Sequence, residues 1–154
     1  MTSDSAAAEE IRRIGHEHYL SGADLRSLVE MGMTVGLHGR AHRKWTGLDD
    51  AGLVDETVRA RGEVAEAAGC PIDEVAIPFG AYDRRVFAWL LRQDFARILT
   101  SDRGPFDPAE RVWNRNTVRA AMGPSEIDAI LSGTASPVER LRLAASQLIR
   151  RRLR

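Results

Sequence analysis

A single cysteine, Cys70, leaves this chain without any internal disulfide and without a thiolate-rich zinc site. Its place between Gly69 and Pro71 reads as a small packed residue rather than a reactive thiol. Lysine is as scarce: of 22 basic residues only Lys44 is one, and the rest are arginines, whose planar fork suits bidentate pairing. No apolar run approaches the roughly 18 residues that a spanning helix needs. The start, Met1-Thr2-Ser3-Asp4-Ser5, carries acid and no apolar stretch, which argues against a signal peptide and reads as cytoplasmic. Net charge is zero, so no global field favours nucleic acid as a partner. Internal repeats and low-complexity tracts are lacking too.

What is present alternates helix with strand, the pattern of an α/β fold with parallel strands. Ser21 is placed to cap a helix running to about Met31, with Asp24 at its third position and Gly32 ending it. Met33 to Leu37 then reads as a strand. Leu53, Val54, Val58, Val64, Ala65 and Ala68 recur at helical spacing and close on Gly69. Val75 to Phe79 is the next strand, and Val86, Phe87, Leu90 and Leu91 make a short amphipathic helix from about Asp83. Arg97 to Thr100 reads as a third strand and Asn116-Thr117-Val118 as a weaker fourth. A short helix from Pro124 to Leu131 and a longer one from Pro137 to Leu153 follow, the latter with Val138, Leu141, Ala145, Leu148 and Ile149 along one side. Six arginines lie between Arg140 and Arg154; a solvated helix end or a weak contact with an anionic membrane surface both suit them.

The chemistry concentrates in Gly36-Leu37-His38-Gly39-Arg40-Ala41-His42. Spacing of four brings two imidazoles to one side of a turn, where both reach one divalent ion, and the loop follows an apolar strand, where open α/β folds carry their sites. His16 and His18 are read as part of a solvated lead-in segment, and no histidine follows His42. Asp49, Asp50 and Asp83 are further acid candidates.

From Tyr19 to about Val118 the chain resembles the NodB-homology polysaccharide deacetylases, carbohydrate esterase family 4. The helix and strand through Leu37 resemble those leading into the family's second motif. His38-Gly39-Arg40-Ala41-His42 is similar to its H-[ST]-x-x-H motif, with Gly39 where Ser or Thr is usual. Ile77-Pro78-Phe79-Gly80-Ala81-Tyr82-Asp83 is similar to its third motif, and Asp94 to Thr100 to the segment after it. The resemblance implies metal-dependent hydrolysis of an acetamido group on a glycan. It implies His38 and His42 as ligands of a divalent ion, usually zinc, which polarises a carbonyl and acidifies bound water. The N–H of Phe79 matches an oxyanion donor, with Pro78, Gly80 and Tyr82 beside the sugar.

The departures from that family are specific. Nothing before Tyr19 resembles the Thr-Phe-Asp-Asp strand that supplies base and third ligand, Asp4 being a poor substitute. The terminal histidine acid is missing, and Ala76 stands where some members place an arginine. At 154 residues the chain is too short for a complete eight-fold barrel of about 250. The expected architecture is therefore an incomplete β/α barrel of about four parallel strands, with a polar segment at 1–18, the deacetylase-like part at 19–133 and a basic amphipathic helix at 134–154. An exposed sheet edge would call for a companion chain or self-association. A non-catalytic metal- or glycan-binding remnant is the alternative to a hydrolase.

Overall fold

A computed structural model of the chain describes residues 20–105, 107–133 and 137–149. The expected N-terminal segment, with His16 and His18, and the arginine-rich turn at 150–154 lie outside the described residues.

The first helix, α1 (Gly22–Glu30), is set by its own sequence. Ser21 Oγ accepts the Asp24 N–H at 3.2 Å while Asp24 Oδ2 accepts the Ser21 N–H at 2.9 Å, a reciprocal cap that satisfies two orphan donors. Gly32, at φ +85°, turns the chain out of the helix. The long helical stretch expected after the histidine loop is three pieces in line: α2 (Asp50–Leu53), a π-helical turn (Val54–Arg59) and α3 (Ala60–Ala68). Asp49 caps its start through the Gly52 N–H at 2.8 Å, and Gly69, left-handed at φ +70°, closes its end. Val58 does not share the buried face; it is 46% exposed, and Leu53, Glu56, Thr57 and Ala60 are buried instead.

Three short parallel strands follow: β1 (Glu74–Ala76), β2 (Arg97–Thr100) and β3 (Val112–Asn114), in the order β1-β2-β3. Between β1 and β2, α4 (Arg84–Arg92) starts at its cap Asp83, which accepts the Val86 N–H at 2.8 Å, and buries Val86, Phe87 and Leu90. Its Leu91, expected on the same apolar stripe, is 42% exposed. Two more helices, α5 (Pro124–Ser132) and α6 (Pro137–Leu148), complete the described chain. None of the described helices is long and apolar enough to cross a membrane.

Several sequence expectations need correction. Met33 to Leu37 forms no extended strand; Leu37 alone bridges to Val75, its N–H donating to the Glu74 carbonyl and its carbonyl accepting the Ala76 N–H, both at 2.8 Å. The strand read over Val75 to Phe79 stops at Ala76, because Pro78–Gly80 is a 3-10 turn in which Phe79 takes φ +58°. The last strand lies four residues earlier than Asn116-Thr117-Val118. Val112, Trp113 and Asn114 pair with Ile98, Leu99 and Thr100, while the Asn116 side chain leaves the ladder to hold Gly104 at 3.0 Å through both its oxygen and its nitrogen. Arg111 fixes that register by donating to the carbonyls of Phe95 at 2.6 Å and Leu91 at 3.0 Å, which ties β3 to the end of α4. In α6, Leu141, Leu148 and Ile149 stay exposed at the helix surface and its end. Contact with the rest of the fold runs instead through Leu143, beside Gly104, and Gln147, whose amide donates to the Arg103 carbonyl at 3.2 Å.

Leu37, Trp45, Leu53, Ile72, Val75, Ile77, Val86, Leu90 and Ile98 form the dry core between sheet and helices, and Cys70 packs against it as a small filler. The result is a segment of a β/α barrel with its parallel strands all pointing the same way. His38 directly follows the bridged Leu37, Phe79 follows β1, Ser101 follows β2 and Arg115 follows β3. The carboxyl ends of the strands thus bring four loops to one edge, the place where barrels carry their chemistry.

Candidate active site

The rings of His38 and His42 lie 5.0 Å apart between centroids and tilt by 44°. His42 also packs on the Phe79 ring at 4.6 Å. His38 Nδ1 sits 2.8 Å from the Ala76 carbonyl. A carbonyl only accepts, so Nδ1 carries the hydrogen, which in the neutral ring leaves the Nε2 lone pair available, the arrangement that orients an imidazole for a cation. Both rings are exposed in a cleft of about 310 Å³, lined also by Gly80, Ser101, Arg115, Asn116 and Thr117.

One buried carboxylate shapes the histidine loop. Glu56, fully buried on the π-helical turn, accepts the Arg40 N–H at 2.9 Å, the Ala41 N–H at 3.4 Å, Trp45 Nε1 at 3.3 Å and Arg43 Nε at 2.7 Å. Burial pushes the Glu56 carboxyl up, but the hydrogen bonds from Arg43, the Arg40 N–H, Trp45 and the Ala41 N–H outweigh it and hold the group below the usual range. Gly39 follows from the same contact. A Cβ there would stand 2.7 Å from Glu56 Oε2, and the backbone is left-handed at φ +80°, so the Ser or Thr usual in the resembled motif does not fit this loop.

Strain marks the site. The described residues with left-handed backbone other than glycine are His42 (φ 46°), Phe79 (φ 58°) and Arg103 (φ 60°). Such conformations cost on the order of 1–3 kcal/mol each and persist where surrounding contacts enforce them. Phe79, 61% exposed, projects its ring over His42. The next two N–H groups close turns, Gly80 on the Ile77 carbonyl and Ala81 on the Pro78 carbonyl, both at 3.1 Å, and the Phe79 N–H joins neither.

The other residues singled out from sequence fall into two groups. Gly80 lines the cleft, but its missing Cβ accommodates Ser101, whose Cβ would lie 2.4 Å away. Pro78 is buried beneath the turn. Tyr82 does not face the cleft: it is 6% exposed and donates its hydroxyl to Asp102. Asp49 and Asp83 are helix caps, and Asp50 pairs with Arg85 at 2.7 Å, so none of the three acids is brought to the histidines.

Arg115 is a residue of the cleft that no motif in the sequence singles out. Its Nε donates to the Thr100 carbonyl at 3.1 Å, and its Nη2 to the Ile77 carbonyl at 3.2 Å and Ser101 Oγ at 3.3 Å. Burial holds this guanidinium below the usual arginine range, and it remains a cation. It has no carboxylate partner among the described residues. Position immediately after a parallel strand was its one signal. Glu56 had a clearer one, lying three residues after Leu53 and four before Ala60 on the buried helical face.

The donor set fits a cation in part. Two imidazoles at this separation suit ligation at about 2.0–2.1 Å each. Among the described residues no group of three His, Cys, Asp or Glu side chains converges to complete a site.

Comparison with known proteins agrees with the fold. The structure is similar to that of BA0330 from Bacillus anthracis, with a TM-score of 0.63 and 19% identity over 82% of this chain and 40% of that one. BC0361, a polysaccharide deacetylase from Bacillus cereus, gives 0.64 and 18% identity over 75% of this chain and 37% of that chain. IcaB from Ammonifex degensii gives 0.57 and 19% identity, covering 75% and 54%. This chain thus spans about two fifths of the length of the first two, as a segment of their barrel. No curated protein matches its sequence. The polysaccharide deacetylase family model matches residues 7–97, more than half of the sequence, and the chain belongs to that family.

Proposed function

We propose that this chain contributes the histidine half of a site for metal-dependent hydrolysis of acetamido groups on a carbohydrate. The observation that carries the reading is the approach of His38 and His42 at 5.0 Å beside the Phe79 turn. His38 and His42 would hold a divalent ion, zinc by preference, which when bound supplies a polarised carbonyl and an acidified water. His38 stays oriented through the Ala76 carbonyl, and Glu56 keeps the loop between the histidines in shape. The Phe79 N–H is the candidate donor to the developing oxyanion, because a backbone donor in an enforced turn needs no reorganisation. Arg115 adds a partly desolvated positive charge on the same cleft. General base, general acid and third ligand come from outside the described residues.

Zinc titration of the purified chain by calorimetry tests the ligands. His38→Ala and His42→Ala should each weaken binding by at least about tenfold. Unchanged affinity in both variants removes the metal assignment.

A second reading, a non-catalytic metal- or glycan-binding member of the family, is favoured by the lack of a third convergent ligand among the described residues. Acetate release from N-acetylated oligosaccharides separates the two. Turnover by this chain excludes the second reading, and metal binding without turnover favours it.

A further inference from the structure

We propose that the glycan this site accepts is anionic, and that Arg103 and Arg119 read its negative groups next to the histidine cleft. The inference rests on the carbohydrate reading above and adds a substrate class to it. A second, larger groove of about 570 Å³ is bounded by the 103–105 loop, α5 and α6. Asn116 and Thr117 line both cavities, so the two adjoin. A polymer seated with one sugar at His38 and His42 must pass along this groove or leave into solvent.

The groove is held in shape. Asn116 grips Gly104 through its oxygen and its nitrogen at 3.0 Å, and Gln147 donates to the Arg103 carbonyl at 3.2 Å from the other side. Between these holds Arg103 sits at φ 60°, so all three strained non-glycine residues of the described chain line the paired cavities. Strain of this kind gathers at ligand clamps.

Charge decides the class of occupant. Arg103 and Arg119 are exposed in the groove and Arg115 lines the adjoining cleft, and none of the three has a carboxylate partner among the described residues. Six other arginines of the described fold are ion-paired, as Arg40 is with Asp55 and Arg61 with Asp73, whereas Arg84, Arg92 and Arg111, also without a carboxylate partner among the described residues, line neither cavity. Glu126 is the acid of the groove, and its carboxylate is engaged at 2.9 Å by the Gly123 N–H. The guanidinium forks of Arg103 and Arg119 along a polymer path fit carboxylates that recur along a chain, while Arg115, whose fork is held by Thr100, Ile77 and Ser101, adds positive charge to the cleft. A glycan alternating N-acetylhexosamine with a uronic acid meets both demands.

The test is calorimetric binding of a hyaluronan octasaccharide against a neutral chitin oligomer of similar length, with the full chain at low salt. The octasaccharide should bind about tenfold more tightly, and Arg103→Asn with Arg119→Ala should abolish that preference. Asparagine is chosen at 103 because it tolerates the left-handed backbone. Arg119→Ala alone should remove part of the preference, with circular dichroism verifying the fold. Arg151→Ala with Arg152→Ala should leave it intact, and because the readout is glycan binding in metal-free buffer and not acetate release, this outcome is separate from failure of the hydrolase reading. Equal affinity for the two glycans, no binding of the octasaccharide, or a preference lost only in the 151/152 variant overturns the proposal.

Discussion

Glu56 Oε2 accepts the backbone N–H of Arg40 at 2.9 Å, so a buried helical carboxylate sets the path of the loop that carries both histidines. Glu56→Gln keeps the volume and removes the charge, turning one acceptor oxygen into a donor. Unfolding in urea should show a loss of about 1–3 kcal/mol, the cost of leaving buried donors unpaired. Trp45 fluorescence is the matching probe, because the indole N–H is one of those donors.

Acid should act through the same carboxylate. Burial opposes ionisation of Glu56, yet Arg43, the Arg40 N–H, Trp45 and the Ala41 N–H hold its folded-state pKa below the usual value. The unfolded chain therefore takes up this proton more readily. The stabilisation is fully present above the ordinary glutamate pKa of about 4.3 and is lost as pH falls through the lower folded value. Stability measured from pH 7 downward should decline over that window, and less so in Glu56→Gln. Asp94, held low by its hydrogen bond with Arg61, acts in the same direction, but it is exposed and salt should screen its share.

Gly80→Ala tests the packing of the Phe79 turn. The new Cβ would meet Ser101 Cβ at 2.4 Å in a left-handed backbone, and overpacking of this kind costs about 1–3 kcal/mol. Ser101→Gly in the same chain should recover part of the loss. Additive effects in the double-mutant cycle would show that the two residues do not press on each other.

Tautomer is measurable directly. With Nδ1 bonded to the Ala76 carbonyl, neutral His38 should show the Nδ1–H form in long-range nitrogen–proton NMR spectra. A dominant Nε2–H signal would contradict the orientation assigned to this ring.

Tyr82→Phe separates a core tyrosine from a sugar contact. Loss of its bond to the Asp102 carboxylate should cost about 1.5–3 kcal/mol of stability. Affinity for glycan should not change, since the ring is buried away from the cleft.

Features that depend on near neighbours are legible in the sequence. Ser21 with Asp24, Asp49, Asp83 and Gly69 set helix ends from bonds three or four residues long, and the four-residue interval between His38 and His42 brought the rings together. The order of the deacetylase motifs also named the family. Tertiary structure alone decided the rest, because it rests on partners far apart in the chain. Glu56 meets Arg40 across 16 positions, and Arg115 reaches Ile77 across 38. Asn116 lost its place in a strand to a side-chain bond with Gly104, and Tyr82 turned inward to Asp102. A buried polar group goes where its hydrogen-bond partners are, and local periodicity does not specify which distant backbone will supply them.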